Sequence, residues 1–216
     1  LHKKCSNIKT PIWHACAKGH LNVLNRLIEL GVDPHKPNLN CILHVACANG
    51  HLSIVKRLIE LKVDVNGFSD KGESPIHLAC ENGSMEIFEM LIESGANINS
   101  ITNGMKSSLH IACDNGHINI VRRLIDLGVD KDCDDCYGMT PLTAASAAGQ
   151  EEIVKLLHGL GASVNIKDNY DLTPLIYFIK SGNLNMVSWL IESAGAQVNS
   201  SDYLGRTPLC HAFEDG

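Results

Sequence analysis

Histidine and cysteine are the residues of this chain whose types and spacing suggest chemistry. Eleven His and nine Cys in 216 residues are enough to consider metal ligation, a thiolate nucleophile or a disulfide framework. His44, His77 and His110 lie 33 residues apart, and Cys16, Cys47, Cys80 and Cys113 follow at intervals of 31, 33 and 33. Cys133-Asp134-Asp135-Cys136 is the one Cys-x-x-Cys. Zinc would require a second ligand pair at suitable spacing, and none follows. No Gly-x-Gly-x-x-Gly, Gly-x-x-x-x-Gly-Lys-Ser/Thr, Gly-x-Ser-x-Gly or His-Glu-x-x-His occurs either. The regular spacing therefore points first to the elements that carry these residues.

Ser107–Gly128 shows what those elements are. It holds two short apolar patterns at helical spacing, Leu109/Ile111/Ala112 and Ile118/Ile120/Val121/Leu124/Ile125, parted by Asn115-Gly116. A helix pair of this size cannot bury both faces alone, so it needs copies of itself on either side. Gly19, Gly50, Gly83, Gly116, Gly149, Gly182 and Gly216 recur at intervals of 31, 33, 33, 33, 33 and 34. Seven residues before them stand Ile12, Leu43, Ile76, Leu109, Leu142, Leu175 and Leu209, and five of these follow Pro, itself preceded by Thr or Ser. That is an N-cap followed by proline in the first helical position. Four residues before the glycines the chain places Ala15, Ala46, Ala79, Ala112, Ala145 and Ala212, small where helices approach closely, with Phe178 the one departure. Second helices close on Gly31, Gly95, Gly128 and Gly161, each able to take a left-handed cap. Lys62 replaces that glycine in the second copy, at a cost of roughly 1–2 kcal/mol if left-handed, so a different turn is expected there. The polar segments between copies, carrying Gly138 and Gly205, read as extended hairpin loops.

Thr/Ser-Pro-Leu/Ile-His-x-Ala, Gly-His, Ile-Val-x-x-Leu-Ile and Gly-Ala-x-Val-Asn at a 33-residue period resemble the ankyrin repeat over essentially the whole chain. The resemblance implies an all-α repeat solenoid: a right-handed stack of helix-turn-helix units with β-hairpin finger loops along one edge, used to bind other proteins. The array spans residues 1–216 with repeats at about 5–35, 36–68, 69–101, 102–134, 135–167 and 168–201 and a partial copy at 202–216. The finger between the first two copies is shorter or irregular and holds Pro34 and Pro37. The last copy stops at Gly216 with Leu209 and Phe213 uncovered, so we expect an array excised from a longer protein.

The register reassigns the chemical-looking residues. In ankyrin repeats the His six residues before the glycine ties the loop backbones of adjacent repeats, which makes His44, His77 and His110 scaffold. Cys16, Cys47, Cys80 and Cys113 fall on a small, buried position, and equivalent sites in stacked helices lie ~8–10 Å apart, beyond the ~7 Å Cα limit for a disulfide. They pack as modest hydrophobes, and free thiols fit a reducing compartment. Cys133 and Cys136 read as an exposed dithiol, with a redox role as the alternative. His158 stands where other copies carry Ile; it is either a buried proton switch or a partly exposed misfit beside Gly159. No enzyme, metal or cofactor is read from the chain.

Composition narrows the partner. Eighteen basic against 24 acidic residues give a net charge of −6 with no basic run able to track a phosphate backbone, which disfavours nucleic acid. No apolar stretch approaches the roughly 18 residues of a membrane span, and no signal-peptide pattern opens the chain; a monomeric array in the cytoplasm or nucleus is expected. Ankyrin arrays present finger tips and the ends of their first helices. Here these are Glu81/Asn82, Asp114/Asn115, Ala147/Ala148 and Lys180, beside an acidic finger with Asp132, Asp134, Asp135 and Tyr137 at its tip, and Tyr170 on the next. An acidic rim, tip tyrosines and a small-residue floor favour a partner protein or peptide bearing Lys or Arg; the other reading is an acidic finger that is merely solvated. The expected function is that of a non-catalytic adaptor or scaffold. The substrate-recognition part of a ubiquitin ligase complex is an alternative, as is a nucleotide or small-ligand sensor, although a sensor would want Lys, Arg and aromatic residues converging on one spot.

Overall fold

The computed structural model describes residues 10–36 and 41–214, with no side-chain description of Glu214. Pro37 of the first finger, Asp215 and Gly216 lie outside the described residues. The chain divides into two compact units, Leu1–Ser108 and Leu109–Gly216. Helices of seven to nine residues make up both, because each repeat offers short apolar stripes broken by glycine, with five leading helices starting on proline.

In the first unit α1 (Pro11–Ala17), α3 (Ile42–Ala48) and α5 (Pro75–Asn82) are the leading helices, each followed by its partner, α2 (Leu21–Glu29), α4 (Leu52–Glu60) and α6 (Met85–Glu93). α1 packs on α3 and α3 on α5, while α2, α4 and α6 form the second layer. The core is thin and aliphatic: Leu43, Ile54, Leu58, Ile76, Ile87, Phe88 and Leu91 are fully buried. Cys16, Cys47 and Cys80 lie in it as free thiols. Burial pushes the Cys16 thiol up to about 12 and raises Cys47 and Cys80 further, so all three stay protonated.

α7 (Ser108–Asp114) opens the second unit, followed by α8 (Ile118–Asp126), α9 (Pro141–Ala147), α10 (Glu151–Gly159), α11 (Pro174–Lys180), α12 (Leu184–Glu192) and α13 (Pro208–Glu214). α9 packs on α11 and α11 on α13, with α8 against α10 behind. Phe178, the one large residue at the small-residue position, is fully buried, whereas Leu209 and Phe213 on α13 are 65% and 79% exposed.

Of the predicted caps, those at Thr10, Ser74 and Thr140 form, whereas Thr173 makes no side-chain cap hydrogen bond. Thr10 and Thr140 accept the backbone N–H groups of Trp13 and Thr143, both at 3.3 Å, and Ser74 forms a capping box with His77, whose Nδ1 accepts the Ser74 N–H at 3.0 Å. Lys62 does not change its turn, contrary to the sequence expectation: it takes φ 60°, and Val63 N–H still closes on the Leu58 carbonyl at 3.1 Å. Two hydrogen bonds from one turn hold a left-handed residue that lacks the glycine advantage.

The fingers are tighter than extended ladders. Among the described residues the one β-bridge joins Ile101 and Ser107; the fingers at 69–73, 135–139, 168–172 and 202–206 are closed turns, with a backbone bond across the base such as Asp135 N–H to Met139 O (3.0 Å) or Asp168 N–H to Leu172 O (3.1 Å). No described helix is long and apolar enough to cross a membrane.

Candidate functional site

Five fingers among the described residues are each built around one side-chain oxygen. Ser69, Thr102, Asp135, Asp168 and Asp202 recur at intervals of 33, 33, 33 and 34 residues. Ser69 Oγ accepts the N–H groups of Lys71 and Glu73, and Thr102 Oγ1 that of Lys106. In the second unit Asp135 Oδ1 takes Tyr137 N–H at 2.8 Å and Met139 N–H at 3.0 Å. Asp168 does the same for Tyr170 and Leu172, and Asp202 for Leu204 and Arg206. This acceptor, buried in the three aspartates, is what lets a five-residue loop reverse without orphaned donors. The sequence reading missed it, although its 33-residue period was there to see.

Asp135 is thereby corrected. Read from sequence as part of an acidic rim, it is only 4% exposed, because its carboxylate is drawn inside the loop. Asp132 and Asp134 are exposed, and Asp132 pairs with Lys131. Tyr137 and Tyr170 stand about half exposed on consecutive tips, and Tyr170 meets Tyr203 edge-on at 6.1 Å between ring centroids. Tyr137 O accepts Asn169 N–H at 2.8 Å, linking those two fingers. The link needs Gly138 at φ 71°: a Cβ there would fall 2.4 Å from Asn169 Oδ1.

The ends of the leading helices differ in exposure and in what their side chains hold. Of the α9 residues expected to form a floor, Thr143 to Ser146 are buried, and only Ala147 and the adjoining Ala148 face solvent. Lys180 and Glu81 are exposed, Asp114 is half-buried. Asn115 folds back to its own helix, donating to Ile111 O at 2.9 Å, and Asn82 donates to Ala48 O at 3.2 Å, closing over Gly50. Both amides remain exposed, but their donors serve the scaffold. Asp114, Asn115, Asp132, Asp134, Tyr137, Ala147, Ala148, Tyr170 and Lys180 lie in the second unit, while Glu81 and Asn82 belong to the first.

His44, His77 and His110 occupy the positions that tie loops. Each donates through Nε2 to a finger carbonyl: His44 to Gly67 and Glu73 (both 3.1 Å), His77 to Ser100 (2.9 Å) and His110 to Met139 (2.9 Å). Burial lowers the His77 pKa, outweighing the Ser100 bond and the Glu73 charge that raise it. His158 is half-buried and edge-on to Trp189 at 5.5 Å. Cys133 Sγ donates to Asp130 O at 3.3 Å and Cys136 is exposed. Among the described residues no three His, Cys, Asp or Glu side chains converge as metal ligands do.

The first unit holds a feature absent from the sequence reading, a hollow of about 290 Å³ between α1, α3, α5 and the finger at 69–73. Trp13, Val45 and Leu78 give it apolar walls, with Asp70, Lys71 and Glu73 at its edge.

Comparison with known proteins decides the family. A profile described as ankyrin repeats, in three copies, matches residues 12–102, 99–168 and 159–216. The chain belongs to the ankyrin repeat family. As an ankyrin repeat array it is similar to the crystal structure of the human ASB11 ankyrin repeat domain, at 30% identity over 94% of this chain and 91% of that one, with a TM-score of 0.83. Among curated proteins no sequence matches it. Ankyrin repeats are protein-interaction modules, which directs attention to the finger tips and helix ends rather than to the buried His and Cys.

Proposed function

We propose that this ankyrin array is a non-catalytic recognition module, an adaptor or scaffold. Its second unit binds a segment of a partner protein bearing Lys or Arg. The observation that carries the reading is the exposure of Asp132 and Asp134 together with Tyr137 and the Ala147/Ala148 floor. Charged groups at a rim steer a complementary partner, and exposed tyrosines offer rigid contact area at small entropic cost.

Selection from a random peptide library displayed on phage tests this directly. Peptides retained by the wild-type chain should be enriched in Lys and Arg, and Asp132→Lys/Asp134→Lys should lose them while its melting temperature is unchanged. Selected peptides without a basic bias, or equal retention by the double variant, would overturn the reading.

A further inference from the structure

Three finger aspartates of the second unit share one register, yet their second oxygens fare differently. Asp168 Oδ2 accepts the Tyr177 hydroxyl at 2.6 Å. Asp202 Oδ2 accepts His211 Nε2 at 3.1 Å and Arg206 Nε at 2.9 Å. In both the main donor stands nine residues after the aspartate, on the following leading helix. Nine residues after Asp135 the chain has Ala144, which has no donor to offer. Asp135 Oδ2 is buried and has no hydrogen-bond partner among the described residues. Ser69 and Thr102, with one oxygen each, leave nothing over, so the surplus acceptor follows from Asp135 being a carboxylate and Ala144 being small.

A buried carboxylate oxygen without a donor is costly to keep, and such a group calls for an explanation. Its setting suggests one. Asp132 and Asp134 of the same finger are exposed, and a cation approaching them is drawn towards the finger base. Tyr177 lies near enough to feel Asp135: after burial and its bond to Asp168, the charges of Asp168 and Asp135 also raise its pKa. It stays a neutral phenol whose oxygen can still accept.

We infer that Asp135 Oδ2 is the receptor for a lysine ammonium of the bound partner, entering over Ala144 and supplying the donor that Tyr177 and His211 supply to the neighbouring fingers. Lysine fits better than arginine because Oδ1 is already committed to two backbone N–H groups. One open oxygen suits a compact point charge, whereas a guanidinium fork wants two. Ala144 is itself 1% exposed, so the site opens as the ammonium arrives. The inference rests on the reading of a basic partner and adds to it a buried anchor beneath the exposed rim.

The test uses the whole chain, uniformly labelled with ¹⁵N, and three probes: acetyl-Gly-Lys-Gly-amide and its Arg and Gln counterparts. The lysine peptide should cause saturable shifts of the Tyr137 and Met139 amides, which donate to the same carboxylate, and the Gln peptide none. Asp135→Thr keeps the loop acceptor, as Thr102 does, and removes the surplus oxygen. Ala144→His supplies an internal donor, as His211 does. Both should weaken the lysine response at least roughly tenfold, and Ala144→His should also raise the melting temperature. An unchanged lysine response in both folded variants, or a stronger response to arginine than to lysine, would overturn the inference. Lysine-induced shifts confined to Asp132 and Asp134 would sink the buried anchor and leave the rim reading standing. No shift with any basic probe, together with a library selection lacking basic bias, would remove both.

Discussion

At the residue scale, the side chains that look most chemical are the ones the fold uses to hold itself together. His77 donates to Ser100 O and accepts from Ser74 N–H, a pairing that requires the neutral ring. Its pKa is lowered from the ordinary 6.5 by burial, so the folded state binds a proton less readily than the unfolded chain. Its contribution to stability is present above that ordinary value and is lost as the pH falls below it. Thermal unfolding followed by circular dichroism should therefore give a falling melting temperature between about pH 7.5 and about pH 5.5. His77→Gln should be less stable at neutral pH and show a flatter dependence; equal slopes would contradict the assignment. Thiol labelling supplies a second check, since Cys16, Cys47 and Cys80 are buried and held protonated. Native protein at pH near 8 should take up iodoacetamide at Cys136 and Cys210, which are exposed, well before those three. The scaffold role of these residues was legible from register. The turning-in of Asp135 was not, because four carboxylates within the six residues 130–135 read as a solvated rim. Only the recurrence of an oxygen-bearing residue every 33 positions separates the structural aspartate from its exposed neighbours.

At the scale of elements, the helix pairs were legible because their signals are local: a Thr or Ser cap, a proline, an apolar stripe and a stopping glycine. The fingers were less so. Their conformation depends on a bond between one loop and the next, such as Asn103 N–H to Lys71 O or Asn169 N–H to Tyr137 O, and no single repeat encodes that. Lys62 shows how pairing overrides preference. It keeps the left-handed turn that glycine makes in the other copies, so Lys62→Gly should stabilise the chain by roughly 1 kcal/mol or less, relief of left-handed strain being partly offset by the entropy of glycine in the unfolded state. Chemical denaturation measures this. A destabilised variant would mean that the lysine side chain contributes something its backbone geometry does not reveal.

Across the whole molecule, stability is distributed over thin layers and recognition falls to what the layers leave outside. Phe178 is fully buried whereas Phe213 is 79% exposed. Phe178→Ala should cost about 3–5 kcal/mol, and Phe213→Ala should stay within roughly 0.5 kcal/mol, as read by denaturant unfolding; comparable losses would contradict this division. Recognition belongs to the exposed tips and helix ends, where family membership assigns a class of activity and only individual residues assign a partner. The most direct measurement is the affinity of a Lys/Arg-bearing peptide selected on the wild-type chain, compared with Asp132→Lys/Asp134→Lys at matched thermal stability over a series of salt concentrations. The account predicts a loss on the order of tenfold at low salt that narrows as added salt screens the exposed charges. Equal affinities at every salt concentration would contradict it.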